Sequence, residues 1–99
     1  MTKIMNIIKI VTFSKEAASK DKGIILETLL EPYLINGEII CVDFSGITYF
    51  ATPFFNNSFA KLALIYGFDA VFSIQIKNIS KVGYECYQSS MENARSISQ

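Results

Sequence analysis

The hydrophobic residues of this chain change period several times along its length, and each change marks an element. Residues 3–11 are rich in Ile and nearly alternate with polar positions, which predicts a first strand. Ser14 is placed to cap a short helical turn over Lys15–Ser19. Asp21 is placed to cap a further segment in which Ile25, Leu26, Leu29 and Leu30 fall at helical spacing and which Pro32 limits. Gly23 weakens that segment, so spacing alone leaves open one bent helix or two. The pair Asn36-Gly37 then predicts a turn into the unbroken apolar run Ile39-Ile40-Cys41-Val42, which stops at Asp43. An unbroken run of that length predicts a buried strand over 38–44, with cover expected on both faces.

The best-specified helix follows that strand. Thr52 suits the N-cap and Pro53 the first helical position, where its missing N–H is harmless. Phe55, Phe59, Leu62, Ala63 and Tyr66 then build one apolar face, and Gly67 supplies a left-handed stop with Phe68 as its apolar contact. Over 70–77, Phe72, Ile74 and Ile76 alternate with Ser73, Gln75 and Lys77, which predicts a strand covered on one face. Asn78 is placed to cap a last helix over 79–95, with Ile79, Val82 and Cys86 inward and a frayed tail at Ser96–Gln99. The order strand-helix, three times over, predicts an α/β domain: a small, mainly parallel sheet with helices packed mainly on one face.

Composition narrows the function. A chain of 99 residues that is 51% hydrophobic has the length for a single domain spanning 1–99, with one modest core. Nine basic and nine acidic residues cancel, which argues against an electrostatic grip on nucleic acid. No apolar stretch approaches the roughly 20 residues of a membrane span. A first segment that alternates suits a strand better than a signal core, so a cytoplasmic location is expected. Cys41 and Cys86 fit that expectation as free, small hydrophobes.

The chemistry of the chain is mostly one of absences. Without histidine there is no Ser-His or Cys-His nucleophile pair, and the two separated cysteines make no zinc site. The glycines form no phosphate-cradling loop. No catalytic residue, metal or cofactor is therefore expected. Asp43 reads either as an acid/base or cation ligand, or as an acceptor for the amides of the Ser45-Gly46 turn, and the second is the commoner use of such an Asp. Thr52 reads as an N-cap or as a hydroxyl offered at the positive end of a helix. Tyr49, Phe50 and Phe54 crowd the loop between them, either as core or as an exposed contact patch.

These residues carry a resemblance. The segment DFSGITYFATPFFNNSFAKL, through Asp43, Phe44, Gly46, Thr52, Pro53, Phe55 and Phe59, resembles the STAS superfamily, and within it the STAS-like bacterial domain family of unknown function. Lys20 and Gly23, with Ile24 and Leu29 behind them, are similar to that family's basic-x-x-Gly helix start, with Lys where Arg is usual. The better-known relatives are anti-sigma-factor antagonists, whose matching loop carries Asp-Ser-Ser-Gly with a phosphorylated second Ser. Here that tetrad falls on Ala51, Thr52, Pro53 and Phe54, so the acceptor is replaced by proline and only Thr52 keeps a hydroxyl, as candidate phosphoacceptor. The resemblance implies a regulatory protein-interaction domain, not an enzyme. Its implied contact residues are Gly46, Tyr49, Phe50, Thr52 and Phe54, and its implied partner class is a histidine-kinase-like ATPase or another signalling protein. A different reading of the same residues makes the chain a small-ligand or nucleotide-binding domain using the amides near Thr52. An exposed Phe50/Phe54 patch would favour the first reading, and a closed pocket at Thr52 the second.

Overall fold

The computed structural model describes residues 4–98, so Lys3 of the expected first strand and Gln99 of the expected tail lie outside the described residues. Three strands, β1 (Met5–Lys9), β2 (Ile39–Asp43) and β3 (Gln75–Lys77), lie side by side in that order. Both pairings are parallel, with Ile7 beside Cys41 and Cys41 beside Gln75. Five helices connect and cover them: α1 (Lys20–Ile35), α2 (Thr52–Asn56), α3 (Phe59–Tyr66), α4 (Phe68–Phe72) and α5 (Lys81–Ile97). This is the expected small parallel sheet. β2 is its central strand, and Ile40 and Val42 point into the core with Ile8 and Ile76 beside them. No helix of the described residues is long and apolar enough to cross a membrane.

Several boundaries differ from the sequence reading, each for a local reason. β1 stops at Lys9 because the chain tightens into a 3-10 turn over Ile10–Thr12, which buries Ile10. Ser14 caps no helix. Its hydroxyl bonds the backbone of Glu16 instead, and Ala17 forms a parallel bridge to Phe50. The cap of α1 is Ser19, which accepts from the Lys22 amide at 3.2 Å, while Asp21 sits in the first turn, where the helix dipole favours it. α1 is one helix and runs through Pro32 to Ile35. Only its last turn lies beyond the proline, and Gly37, at φ 65°, completes the expected turn.

The long helix expected after Thr52 is two helices. Asn57 donates to the Pro53 carbonyl at 2.7 Å and Ser58 to the Phe54 carbonyl at 2.8 Å. Side chains that take up these carbonyls compete with the backbone ladder, and Ser58 leaves helical geometry at φ −127°, ψ −93°. The inward stripe survives the break. Phe55, Phe59, Leu62 and Ala63 are buried, although Tyr66 stays on the surface and donates to Glu31 at 2.8 Å.

The strand expected over 70–77 shrinks to Gln75–Lys77, because Phe68–Phe72 is a helical turn. Phe68 and Phe72 lie one turn apart, and the Arg95 guanidinium sits over both rings, 4.9 and 5.5 Å from their centroids. Asn78 caps nothing; the cap of α5 is Ser80, bonded to the Gly83 amide. The inward stripe of α5 is Gly83, Tyr87, Ser90, Met91 and Ala94, whereas Val82, expected inside, is exposed. Ile79 and Cys86 are partly buried against the core, as expected. Both cysteines are free thiols, Cys41 buried in β2 and Cys86 partly buried on α5.

Candidate functional site

The residues from Asp43 to Thr52 form a crest at the carboxyl end of the central strand, the end at which open α/β sheets usually bind. Ser45 and Gly46 make its first turn. The Ile47 amide bonds back to the Phe44 carbonyl at 3.0 Å, and Gly46 takes φ 83°, a conformation that favours glycine. Ile47 then turns inward, while Thr48 and Tyr49 face out. The far side of the crest is stapled to the segment before α1. The Ala17 amide donates to the Tyr49 carbonyl at 3.0 Å, and the Ala51 amide to the Ala17 carbonyl at 3.1 Å.

Beneath the crest lies an aromatic floor. Phe44, Phe50, Phe54, Phe55, Phe59 and Tyr87 pack ring against ring. Phe55 lies 5.1 Å from Phe54 in an edge-to-face contact and 6.1 Å from Phe59 in a stacked one. Two expectations are corrected here. Phe50 is 8% exposed and Phe54 is wholly buried, so neither presents its ring to a partner. The reason is that α2 is wedged between α1 and α5 and buries residues on both sides, so that Phe54, though off the Phe55/Phe59 face, meets a second neighbour. Of the five expected contact residues, Gly46 and Tyr49 are exposed and Thr52 is partly so. Tyr49, at 58% exposure, is the aromatic the crest offers.

Asp43 closes the base of the crest. Its Oδ1 accepts from the Ser45 amide at 2.8 Å, the Ser45 hydroxyl at 2.6 Å and Asn78 Nδ2 at 3.0 Å. The turn-bonding reading is therefore the one the geometry supports, and it gains the Asn78 link, which no local pattern announced. Asn78 takes φ 58°, a strained setting for a side chain that Asn tolerates better than most residues. The Ser45 hydroxyl, then Asn78 and the Ser45 amide, hold the carboxyl down from 3.8 to about 2. A carboxylate depressed in this way stabilises the fold above its unfolded value, and that contribution is lost as pH falls through the folded one. Thermal melts between about pH 4 and pH 2 should therefore show a smaller loss of stability for Asp43→Asn than for the wild type. Parallel losses in the two proteins would mean that Asp43 is not the group responsible.

Thr52 is the first residue of a five-residue helix whose N-cap is Ala51, and its side chain makes no capping bond. Phe54 N bonds Ala51 O, so the extended Ala51 takes the role expected of Thr52. Two concavities lie elsewhere. A half-open groove of about 420 Å³ runs between α5 and Phe72, Ile74 and Ile76. A hollow of about 180 Å³ is lined by Ser14, Lys15, Glu16, Ser19 and Lys22. Neither is lined by any residue of Gly46–Phe54. Among the described residues no three His, Cys, Asp or Glu side chains converge to hold a metal.

A family model described as a STAS-like domain of unknown function (DUF4325) matches residues 22–84, well over half of the chain, and this chain belongs to that family. The matched region runs from the first turn of α1 to the first turn of α5 and contains the whole crest. No curated protein and no solved structure matches the chain.

Proposed function

We propose that this member of the STAS-like family is a non-catalytic, cytoplasmic regulatory module that docks a signalling protein on the crest at Gly46, Tyr49 and Thr52. The observation that carries this reading is Tyr49. A large, amphipathic ring stands exposed on a loop whose neighbours Ile47 and Phe50 are both anchored in the core. A partner gains a ring on a backbone already ordered, so little conformational freedom is lost on binding. The partner class suggested by resemblance to the anti-sigma-factor antagonists is a histidine-kinase-like ATPase. Neither discriminator drawn from the sequence is met, since Phe50 and Phe54 are buried and neither concavity opens beside Thr52, so the crest reading stands on Tyr49.

Tyr49→Asp places a charge on the crest while leaving the buried rings alone. It should keep the wild-type circular dichroism and melting temperature and lose the wild-type partner in pull-downs from the native host. Retention of every partner by the folded variant would put the interaction elsewhere.

The same reading carries a negative prediction. By resemblance to the anti-sigma-factor antagonists, Pro53 stands where their phosphorylated Ser would fall and offers no hydroxyl, so incubation with a cognate kinase and ATP should add no phosphate by intact mass. A stoichiometric phosphate on Thr52 would restore a switch, with the dianion at the positive end of α2.

A further inference from the structure

Buried polar groups are ordinarily hydrogen-bonded, and a buried Tyr hydroxyl usually finds a partner. Tyr87 departs from that rule. It lines the groove between α5 and β3 and is only 6% exposed. Its ring is fixed edge-on to Phe55 and Phe59 and stacked on Tyr84, 5.8 Å away. These are all ring contacts. Among the described residues no protein group bonds the hydroxyl, and it is not sealed inside the core, so it opens into the groove. The walls around it are apolar, with Phe72, Ile74, Ile76 and Met91. Two exposed charged residues of α5, Glu92 and Arg95, complete the lining one helical turn apart. The Arg95 guanidinium lies over the Phe68 and Phe72 rings instead of on Glu92, and among the described residues neither charge takes part in an ion pair.

We infer that this groove binds an uncharged aromatic molecule carrying both a carbonyl acceptor and an N–H donor, of the aryl carboxamide or lactam class. Its volume of about 420 Å³ falls in the lower part of the roughly 300–1,000 Å³ range of small-molecule sites. The aromatic and aliphatic walls select a ring, which stacks on them and leaves water. The two charges select against a net charge on the ligand. An anion meets Glu92 and a cation meets Arg95, whereas a neutral group with a donor and an acceptor suits both. The carbonyl accepts from the Tyr87 hydroxyl, with Arg95 as a second donor, and the N–H donates to Glu92. Burial, and then the neighbouring Tyr84, pushes the Tyr87 hydroxyl up to about 12, so it keeps the proton it donates at neutral pH. No residue of Gly46–Phe54 lines this groove, so ligand binding here is independent of docking at the Tyr49 crest.

The test titrates single-ring probes of like size into the whole chain and follows its amide resonances. Benzamide is the neutral probe with donor and acceptor, benzoate the anion, benzamidine the cation, and acetophenone the neutral probe without an N–H. Benzamide should bind with a Kd of about 1 mM and the other three about tenfold more weakly. The shifts should fall on β3 and on the Tyr84–Arg95 part of α5. Tyr87→Phe removes a hydroxyl that no protein group bonds, so circular dichroism and melting temperature should match the wild type while benzamide binding falls about fivefold. Glu92→Gln, at an exposed position, should raise benzoate affinity about fivefold and leave acetophenone unchanged. The inference is overturned if benzamide at about twenty times that Kd leaves the groove amides unmoved, or if all four probes bind equally. It is equally overturned if folded Tyr87→Phe binds benzamide as the wild type does, or if Glu92→Gln brings benzoate no gain. The Glu92→Gln result decides on its own should Tyr87→Phe lose its fold.

Discussion

Phe55→Ala should destabilise the domain by about 3–5 kcal/mol, the range for removing a fully buried aromatic ring. Phe55 is wholly buried and has ring contacts with Phe44, Phe50, Phe54, Phe59 and Tyr87. It joins the end of β2, the crest, α2, α3 and α5, so the cavity left by alanine cannot close by a shift of one element. Domains of this size hold roughly 5–15 kcal/mol in total, so much of that reserve would go. Phe59→Ala, also at a wholly buried ring, should behave alike. Urea denaturation measures both losses. A shift below about 1 kcal/mol for Phe55→Ala would mean that the ring is not packed as described.

Gly23→Ala should also destabilise, against the rule for helices. In a helix interior alanine is favoured over glycine by about 1 kcal/mol. A Cβ at Gly23, however, would fall well inside van der Waals contact of the Phe54 carbonyl oxygen and within 3.1 Å of Asn57 Cβ. That carbonyl already accepts from the buried Ser58 hydroxyl, so it is poorly free to move. Pushing α1 away from α2 to make room should cost about 1–3 kcal/mol net. A variant as stable as the wild type, or more so, would show that the two helices do not approach as closely as described.

Gly23 also illustrates what a sequence can and cannot say. Read along the chain, it is a weakness in a helix; in the fold, it is the point at which α2 touches α1. Signals that are local and periodic were legible: the central strand stopping at Asp43, the Ser45-Gly46 turn, the Phe55/Phe59/Leu62/Ala63 stripe and the parallel order of strands. What depends on partners distant in sequence was not. The Asp43–Asn78 bond joins two strand ends 35 residues apart. α4 was hidden because Phe72, Ile74 and Ile76 happen to alternate, while Arg95 on the last helix is the group that meets both Phe68 and Phe72. The inward face of α5 was missed because Gly83 and Ser90 carry no hydrophobic signal, yet a Cβ at Gly83 would strike the Phe50 ring at 2.7 Å.

At the candidate site the same division holds. The location of the crest was legible from the strand stop, the turn glycine and the following proline. Which of its aromatics faces outward was not, because Phe50 and Phe54 are buried by α1 and α5, whose contribution no local pattern reports. Tyr49 remained outside because its backbone is held by Ala17 while its ring is left free of that bridge.

Photo-crosslinking in the native host decides whether the crest is the contact surface. A benzophenone amino acid would replace Tyr49 in one strain and Ile35 in another. Ile35 is 63% exposed at the end of α1, and so controls for chance collisions with a surface residue. A crest that docks a partner should give a discrete adduct of one partner protein from Tyr49 and none of that mass from Ile35. No adduct from Tyr49, or the same adduct from both positions, would contradict it.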